Sequence, residues 1–182
     1  NICGAQLKTV IFEDAFVIEN IAKDAFKGTE FENVTNMGAD GLSVVGNIIT
    51  KSTAGGDVEL ESGIKVISGS AFNSNNNVIS VTVNEGCQRI DALAFAYAAS
   101  LKWVFIPDSV TSIGDGAFDG TSAYIKCNAG SYAEQYAIRN NIDYVIENDE
   151  FEWNYSVNGG KITLEKYNSD ALDVIIPSDI GG

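Results

Sequence analysis

The chain has 182 residues, 45% of them hydrophobic, with 11 basic against 25 acidic side chains, a net charge of −14 and no histidine. That apolar content excludes a disordered chain, and the negative field repels phosphate backbones and anionic lipid heads, so nucleic acid is not an expected partner. The missing histidine removes His-based triads, His-ligated zinc and haem, and the usual general base near pH 7.

The chain starts Asn1-Ile2-Cys3-Gly4, with no initiator Met, basic region or apolar run. Such a start reads as interior or mature, with any signal or anchor lying outside it. The longest apolar run, Ala92 to Ala99, is far below the roughly 20 residues of a membrane helix, so no membrane insertion is expected within this stretch. Cys3, Cys87 and Cys127 lack Cys-x-x-Cys spacing and are expected as buried free thiols, with no metal and no cofactor.

An internal period organises residues 1–128. Val58-Glu-Leu60, Ile64, Ile67 and Ala71-Phe72 recur as Val81-Thr-Val83, Cys87, Ile90 and Ala94-Phe95, then as Val104-Phe-Ile106, Val110, Ile113 and Ala117-Phe118. Every apolar position is displaced by 23 residues. Extending the phase backwards reaches Met37, Val44, Ile48 and Ile49, then Ile18, Ile21 and Ala25-Phe26, so five units begin near Phe12, Thr35, Val58, Val81 and Val104. The second is degenerate, and its Leu42–Thr50 stretch has the pattern of a hairpin about Gly46-Asn47.

Within each unit the Val-x-Ile portion alternates with period 2 and reads as a short strand with one inward face. The apolar spacings of three and four that follow suit a bend and then a helical or 3₁₀ turn. One unit cannot bury its apolar side alone, so units stack and their strands form a parallel ladder. Phe72, Phe95 and Phe118 are then expected as a buried stacked spine, continued by Phe26 and Ile49.

The period ends in a different element. Ser131 and Glu134 have capping-box spacing, Tyr132, Ala133, Tyr136 and Ala137 share one helical face, and Asn140-Asn141 suits a left-handed helix end. Ile142 to Ile146 reads as a last strand, so residues 129–146 are expected to cap the array. Residues 147–182 begin with an acidic linker. Phe151, Trp153, Tyr155 and Val157 then alternate, Asn158-Gly159 turns the chain, and Ile162 and Leu164 alternate again, giving a hairpin. Val174-Ile-Ile176-Pro177 repeats the pattern of Val104-Phe-Ile106-Pro107 and reads as the start of a further unit.

Residues Leu101-Lys-Trp-Val104-Phe-Ile106-Pro107-Asp-Ser-Val110-Thr-Ser-Ile113-Gly114-Asp-Gly-Ala117-Phe118 resemble the BspA-like, or Treponema-type, leucine-rich repeats. The resemblance runs roughly over residues 7–146. Its departures are Cys87 for the usual Val, Glu61 and Asn84 for the Pro, and the weak second unit. It implies an α/β leucine-rich-repeat solenoid with a parallel ladder of 23-residue repeats, a C-terminal capping helix and then a β-hairpin segment. It also implies a non-catalytic, secreted or cell-surface bacterial module that adheres to host protein, matrix, another cell or a glycan. A carbohydrate-positioning or spacer module of a surface hydrolase is the alternative.

Outward positions of the strands offer the candidate binding surface: Asp57 and Glu59, Ser80 and Thr82, Trp103 and Phe105. The polar pairs are expected to be solvated, and no carboxylate pair stands out as a glycosidase site, which needs two carboxyls about 5–9 Å apart in a cleft. No calcium loop is present. Asn33-Val-Thr35 and Asn154-Tyr-Ser156 match the glycosylation sequon. Trp103 and Phe105, side by side and outward, need a cover: either a protein or glycan ligand, or the hairpin with Trp153 and Tyr155 folded back over them. The latter is the expected arrangement, in a monomer.

Overall fold

The structure, a computed structural model, describes residues 38–147 and the backbone of 153–158 and 161–167. Phe26, Cys3, the first unit and the Val174-Ile-Ile176 segment lie outside the described residues.

Strands β1 (Leu42–Val45) and β2 (Ile48–Ser52) form an antiparallel hairpin about Gly46, whose φ is 62°. Then follow β3 (Gly56–Glu59), β4 (Val66–Ile67), β5 (Val78–Thr82), β6 (Arg89–Ile90), β7 (Trp103–Phe105), β8 (Ser112–Ile113) and β9 (Tyr124–Cys127). Helix α1 (Tyr132–Asn140) and strands β10 (Tyr144–Ile146), β11 (Trp153–Asn158) and β12 (Lys161–Tyr167) complete the order.

Two ladders run along the solenoid. The long one takes the order β12-β11-β10-β9-β7-β5-β3, and the short one β1-β2-β4-β6-β8. In the long ladder Val58, Val81 and Val104 stand in register, as do Asp57, Ser80 and Trp103, so the 23-residue period is the parallel pairing itself. Corners are paired too. Leu60 N–H donates to Thr82 O, Val83 N–H to Phe105 O, and Phe72 and Phe95 N–H to Ala94 and Ala117 O.

The short ladder occupies the expected bend, and the helical or 3₁₀ turn expected after it is a run of separate turns, with Ala71, Asn73 and Asn75 N–H donating to Ser68, Ser70 and Phe72 O. Val66-Ile67, Arg89-Ile90 and Ser112-Ile113 pair in parallel as two-residue strands. A helix cannot continue beyond them, because each unit enters the left-handed region twice in the next few residues. Ser70, Leu93 and Gly116 have φ of 65°, 60° and 63°, and Ser74, Tyr97 and Gly120 have 57°, 58° and 68°. Both sets keep the repeat phase. A left-handed residue with a Cβ costs about 1–2 kcal/mol, which the corner hydrogen bonds and the buried Phe must offset.

That burial is complete at the centre. Phe72 and Phe95 are inaccessible to solvent, with ring centroids 5.0 Å apart, and Phe95 and Phe118 are 5.2 Å apart; both pairs are stacked. Ile49 does not extend this spine. It is buried, but β2 pairs Ile48 with Val66 and Ile49 with Ile67, which places Ile49 in the short ladder. The tight hairpin at Gly46 uses fewer residues than a full turn, so the second unit loses the phase.

Asn84, which stands where Pro107 stands one unit later, donates its side-chain amide to Leu60 O. Asn75, buried, donates to Ala54 O at 2.9 Å. Side-chain amides thus tie neighbouring turns at two corners.

Helix α1 closes the repeating part. Ser131 Oγ accepts from Glu134 N–H at 3.1 Å, while Glu134 Oε2 accepts from Gly130 N–H at 2.6 Å. The return bond of the box shifts by one residue because Ser131 N–H already donates to Asn128 O. Asn141, at φ 54° and ψ 44°, ends the helix. Ala133, Tyr136 and Ala137 are buried, and the Tyr136 ring lies 6.2 Å from Phe118, tilted by 54°. Tyr132 is only half-buried, under the Arg139 guanidinium at 5.3 Å. Tyr136 thus takes the place a further Phe would occupy, and a helix exterior of Gln135, Arg139 and Asn140, with Ile138 exposed among them, replaces an open apolar end.

After α1, β10 pairs parallel with β9, and β11 antiparallel with β10, Tyr155 opposite Ile146. The hairpin β11-β12 closes with Asn158 opposite Lys161, one residue later than the Asn158-Gly159 turn expected.

Candidate interaction surface

The outward face of the long ladder carries every residue singled out from the sequence. In order along the stack it presents Asp57 and Glu59 on β3, Ser80 and Thr82 on β5, Trp103 and Phe105 on β7, and Tyr124 and Lys126 on β9. Adjacent strands are about 4.8 Å apart, so the surface runs from carboxylates through hydroxyls to aromatic rings over about 14 Å. The inward residues of these strands, Val81, Val104 and Ile125, are fully buried and anchor the strands to the core.

Individual positions differ from the simple outward-means-solvated reading. Asp57 and Glu59 are exposed, and Thr82 is half-buried. Ser80 is 1% exposed, and its hydroxyl donates to Asp57 Oδ1 at 2.6 Å. It sits in register between Asp57 and Trp103, so a small side chain beside a large ring loses its access to water. The ladder orders Asp57 rather than leaving it as a loose solvated charge.

Trp103 and Phe105 are half-buried. The expected internal cover is not how the hairpin is placed. Strands β9 and β10 separate β7 from β11, so the hairpin widens the sheet three strand steps away, about 14 Å. The edge of β10 offered unpaired backbone groups, and pairing them satisfies more hydrogen bonds than lying across a face. The group over Trp103 is Lys126: its Nζ lies 4.5 Å from the ring centroid and 2.7 Å from Glu147 Oε1. An ammonium over an indole is worth on the order of 1 kcal/mol at such a part-exposed site. Tyr124 and Lys126 were missed in the sequence because β9 follows β7 by 21 residues, not 23. Counting inward from Ile125 would have found them.

Among the described residues no group of three or more His, Cys, Asp or Glu side chains could hold a metal ion, and no helix is long and apolar enough to cross a membrane. Burial pushes the Cys87 thiol up to about 11 and the Cys127 thiol up to about 12, so both are protonated, inert and part of the core. An open groove continues from Tyr124 along the neighbouring corner, past Lys102, Ser100, Ile79 and Asn77.

A family model described as the BspA type leucine rich repeat region matches residues 3–125 in six copies. Comparison with curated proteins and with solved structures gives no significant match. Repeat solenoids of this type are protein-interaction modules, and the chain belongs to the BspA-type leucine-rich repeat family.

Proposed function

We propose that this chain is a non-catalytic adhesion module of a secreted or cell-surface bacterial protein, acting as a monomer and binding a protein ligand through the outward face of the long ladder. The observation that carries this reading is the run Trp103, Phe105 and Tyr124, side by side on paired strands, with the exposed Asp57 and Glu59 two strands from β7 on the same face. Rigid aromatic anchors with a polar surround have the composition of binding hot spots, and strand pairing supplies the preorganisation that lowers the entropic cost of association. A protein ligand fits better than a glycan. Sugar rings stack on a bare aromatic face, whereas Lys126, held by Glu147, occupies a face of Trp103. Displacing it would break both contacts.

The test is an array of extracellular-matrix and host-surface proteins beside a glycan array, probed with the chain and with Trp103→Ala/Phe105→Ala. Binding to a protein that falls at least tenfold in the double variant, about 1.4 kcal/mol, supports the proposal. Binding confined to glycans, or protein binding that ignores the double substitution, overturns it.

A further inference from the structure

We propose that Leu93 and Tyr97 form a second docking site, at the corner between the two ladders, for a peptide segment presenting an aliphatic or aromatic side chain flanked by Lys or Arg. The two residues occupy the left-handed positions of their unit, at φ 60° and 58°. The preceding unit fills those positions with Ser70 and Ser74 and the following one with Gly116 and Gly120. The corner therefore forms without apolar side chains there. Leu93 and Tyr97 are nevertheless 36% and 58% exposed, while Ala94, Phe95 and Ala96 between them are fully buried. Large apolar side chains in a costly backbone conformation, turned to solvent, are a loss in the isolated chain. Strain of this kind gathers where a ligand is met.

Their setting holds them ready. A Cβ on Gly120 would lie 2.4 Å from Tyr97 Cδ1, and one on Gly116 would lie 3.1 Å from Leu93 Cδ2. Tyr97 therefore lies against the glycine backbone of Gly120 in the next turn, and Leu93 lies beside Gly116, where the Asp119 carboxylate is also close. Leu93 N–H donates to Asp115 O at 3.3 Å and Tyr97 N–H to Asp119 O at 2.7 Å. Asp115 and Asp119 are exposed on the same turn, and Asp119 Oδ2 lies 2.6 Å from the Cβ position of Gly116, next to Leu93 Cδ2, so acidic charge flanks the apolar pair. That pattern selects a partner with basic residues beside its apolar anchor. A second copy of the chain, with its own charge of −14, meets repulsion at this acidic rim. The site is separate from the face of Trp103, so the fate of one reading does not decide the other.

The experiment selects a displayed library of random linear 12-residue peptides on the full chain, and measures binding of a fluorescein-labelled consensus peptide by polarisation. The expected consensus has Leu, Phe, Tyr or Trp between basic residues. Its affinity falls about tenfold or more in Leu93→Ser/Tyr97→Ser, weakens with added salt, and is unchanged in Trp103→Ala. The Ser variant copies the preceding unit, and Leu93→Gly/Tyr97→Gly copies the following one, so at least one folds, as circular dichroism will show. A consensus without basic residues, or one whose binding ignores both double variants, overturns the proposal. So does a concentration-dependent dimer that both variants abolish in sedimentation, which would give the corner to a second copy.

Discussion

Replacing Phe95 by Ala removes the middle ring of the spine. The ring is wholly inaccessible, with Phe72 at 5.0 Å on one side and Phe118 at 5.2 Å on the other. Phe→Ala in a packed core costs about 3–5 kcal/mol, combining lost transfer energy with the cavity left behind. Each stacked pair adds about 0.5–1.5 kcal/mol beyond burial, and Phe95 loses two of them. The expected loss is therefore at the upper end, about 4–5 kcal/mol. Phe72→Ala is the internal control. Its ring is just as buried, but it stacks only on Phe95 among the described residues, so it should cost less by about one pair, roughly 0.5–1.5 kcal/mol. The assay is urea unfolding followed by far-ultraviolet circular dichroism, comparing midpoints at fixed m. A Phe95→Ala loss below about 1 kcal/mol, or a larger loss for Phe72→Ala, would refute the account of a two-sided stack.

Gly114→Ala should destabilise by about 1–3 kcal/mol in the same assay, because the new Cβ would lie 2.4 Å from Ala92 N. An unchanged midpoint would mean that the two turns are not in close contact there. Cys87 and Cys127 should resist iodoacetamide at pH 8 in the native state and react fully in denaturant. Both thiols are raised by burial from 9.0, to about 11 and about 12. Above pH 9 the unfolded chain gives up protons that the folded chain retains, so stability should fall as pH rises from about 9 towards 11. A rising or flat profile in that window would contradict buried thiols. Lys126→Met should change stability by less than about 1 kcal/mol, since the contacts of Lys126 are part-exposed. It should alter Trp103 emission, measured in a Trp153→Phe background; emission that does not move would place Lys126 away from the ring.

The repeat was legible because the inward positions obey one rule: Val58, Val81 and Val104 must face the same core at the same height, so their identities recur with the pairing. The cap was legible for a local reason, since Ser131, Glu134 and Asn141 satisfy helix-end groups within a few residues. What escaped the sequence depends on neighbours far along the chain. The left-handed corner positions carry Ser, Leu and Tyr in two units and Gly only in the third, so no glycine signal marks them. Ile49 looks in phase, yet the hairpin at Gly46 shortens its unit. Ser80 is polar and outward, and its burial depends on which residues register beside it. The hairpin after Glu147 was readable as a hairpin, but an apolar alternation does not say whether it joins an edge or covers a face. The candidate face was legible in part: Trp103 and Phe105 stood out, while the shorter step to β9 concealed Tyr124 and Lys126.

The parallel stacking has a mechanical consequence. Each 23-residue unit advances the solenoid by one strand spacing, about 4.8 Å, though the same residues drawn out reach about 75 Å. The ladder hydrogen bonds point along the stacking direction, so tension applied along that direction loads them one row after another instead of shearing many at once. A stretched array should therefore peel turn by turn at modest force, each released turn adding about 70 Å of slack, while the turns still stacked keep their outward faces intact. An array under tension would lengthen like a sacrificial tether while its remaining turns keep their shape.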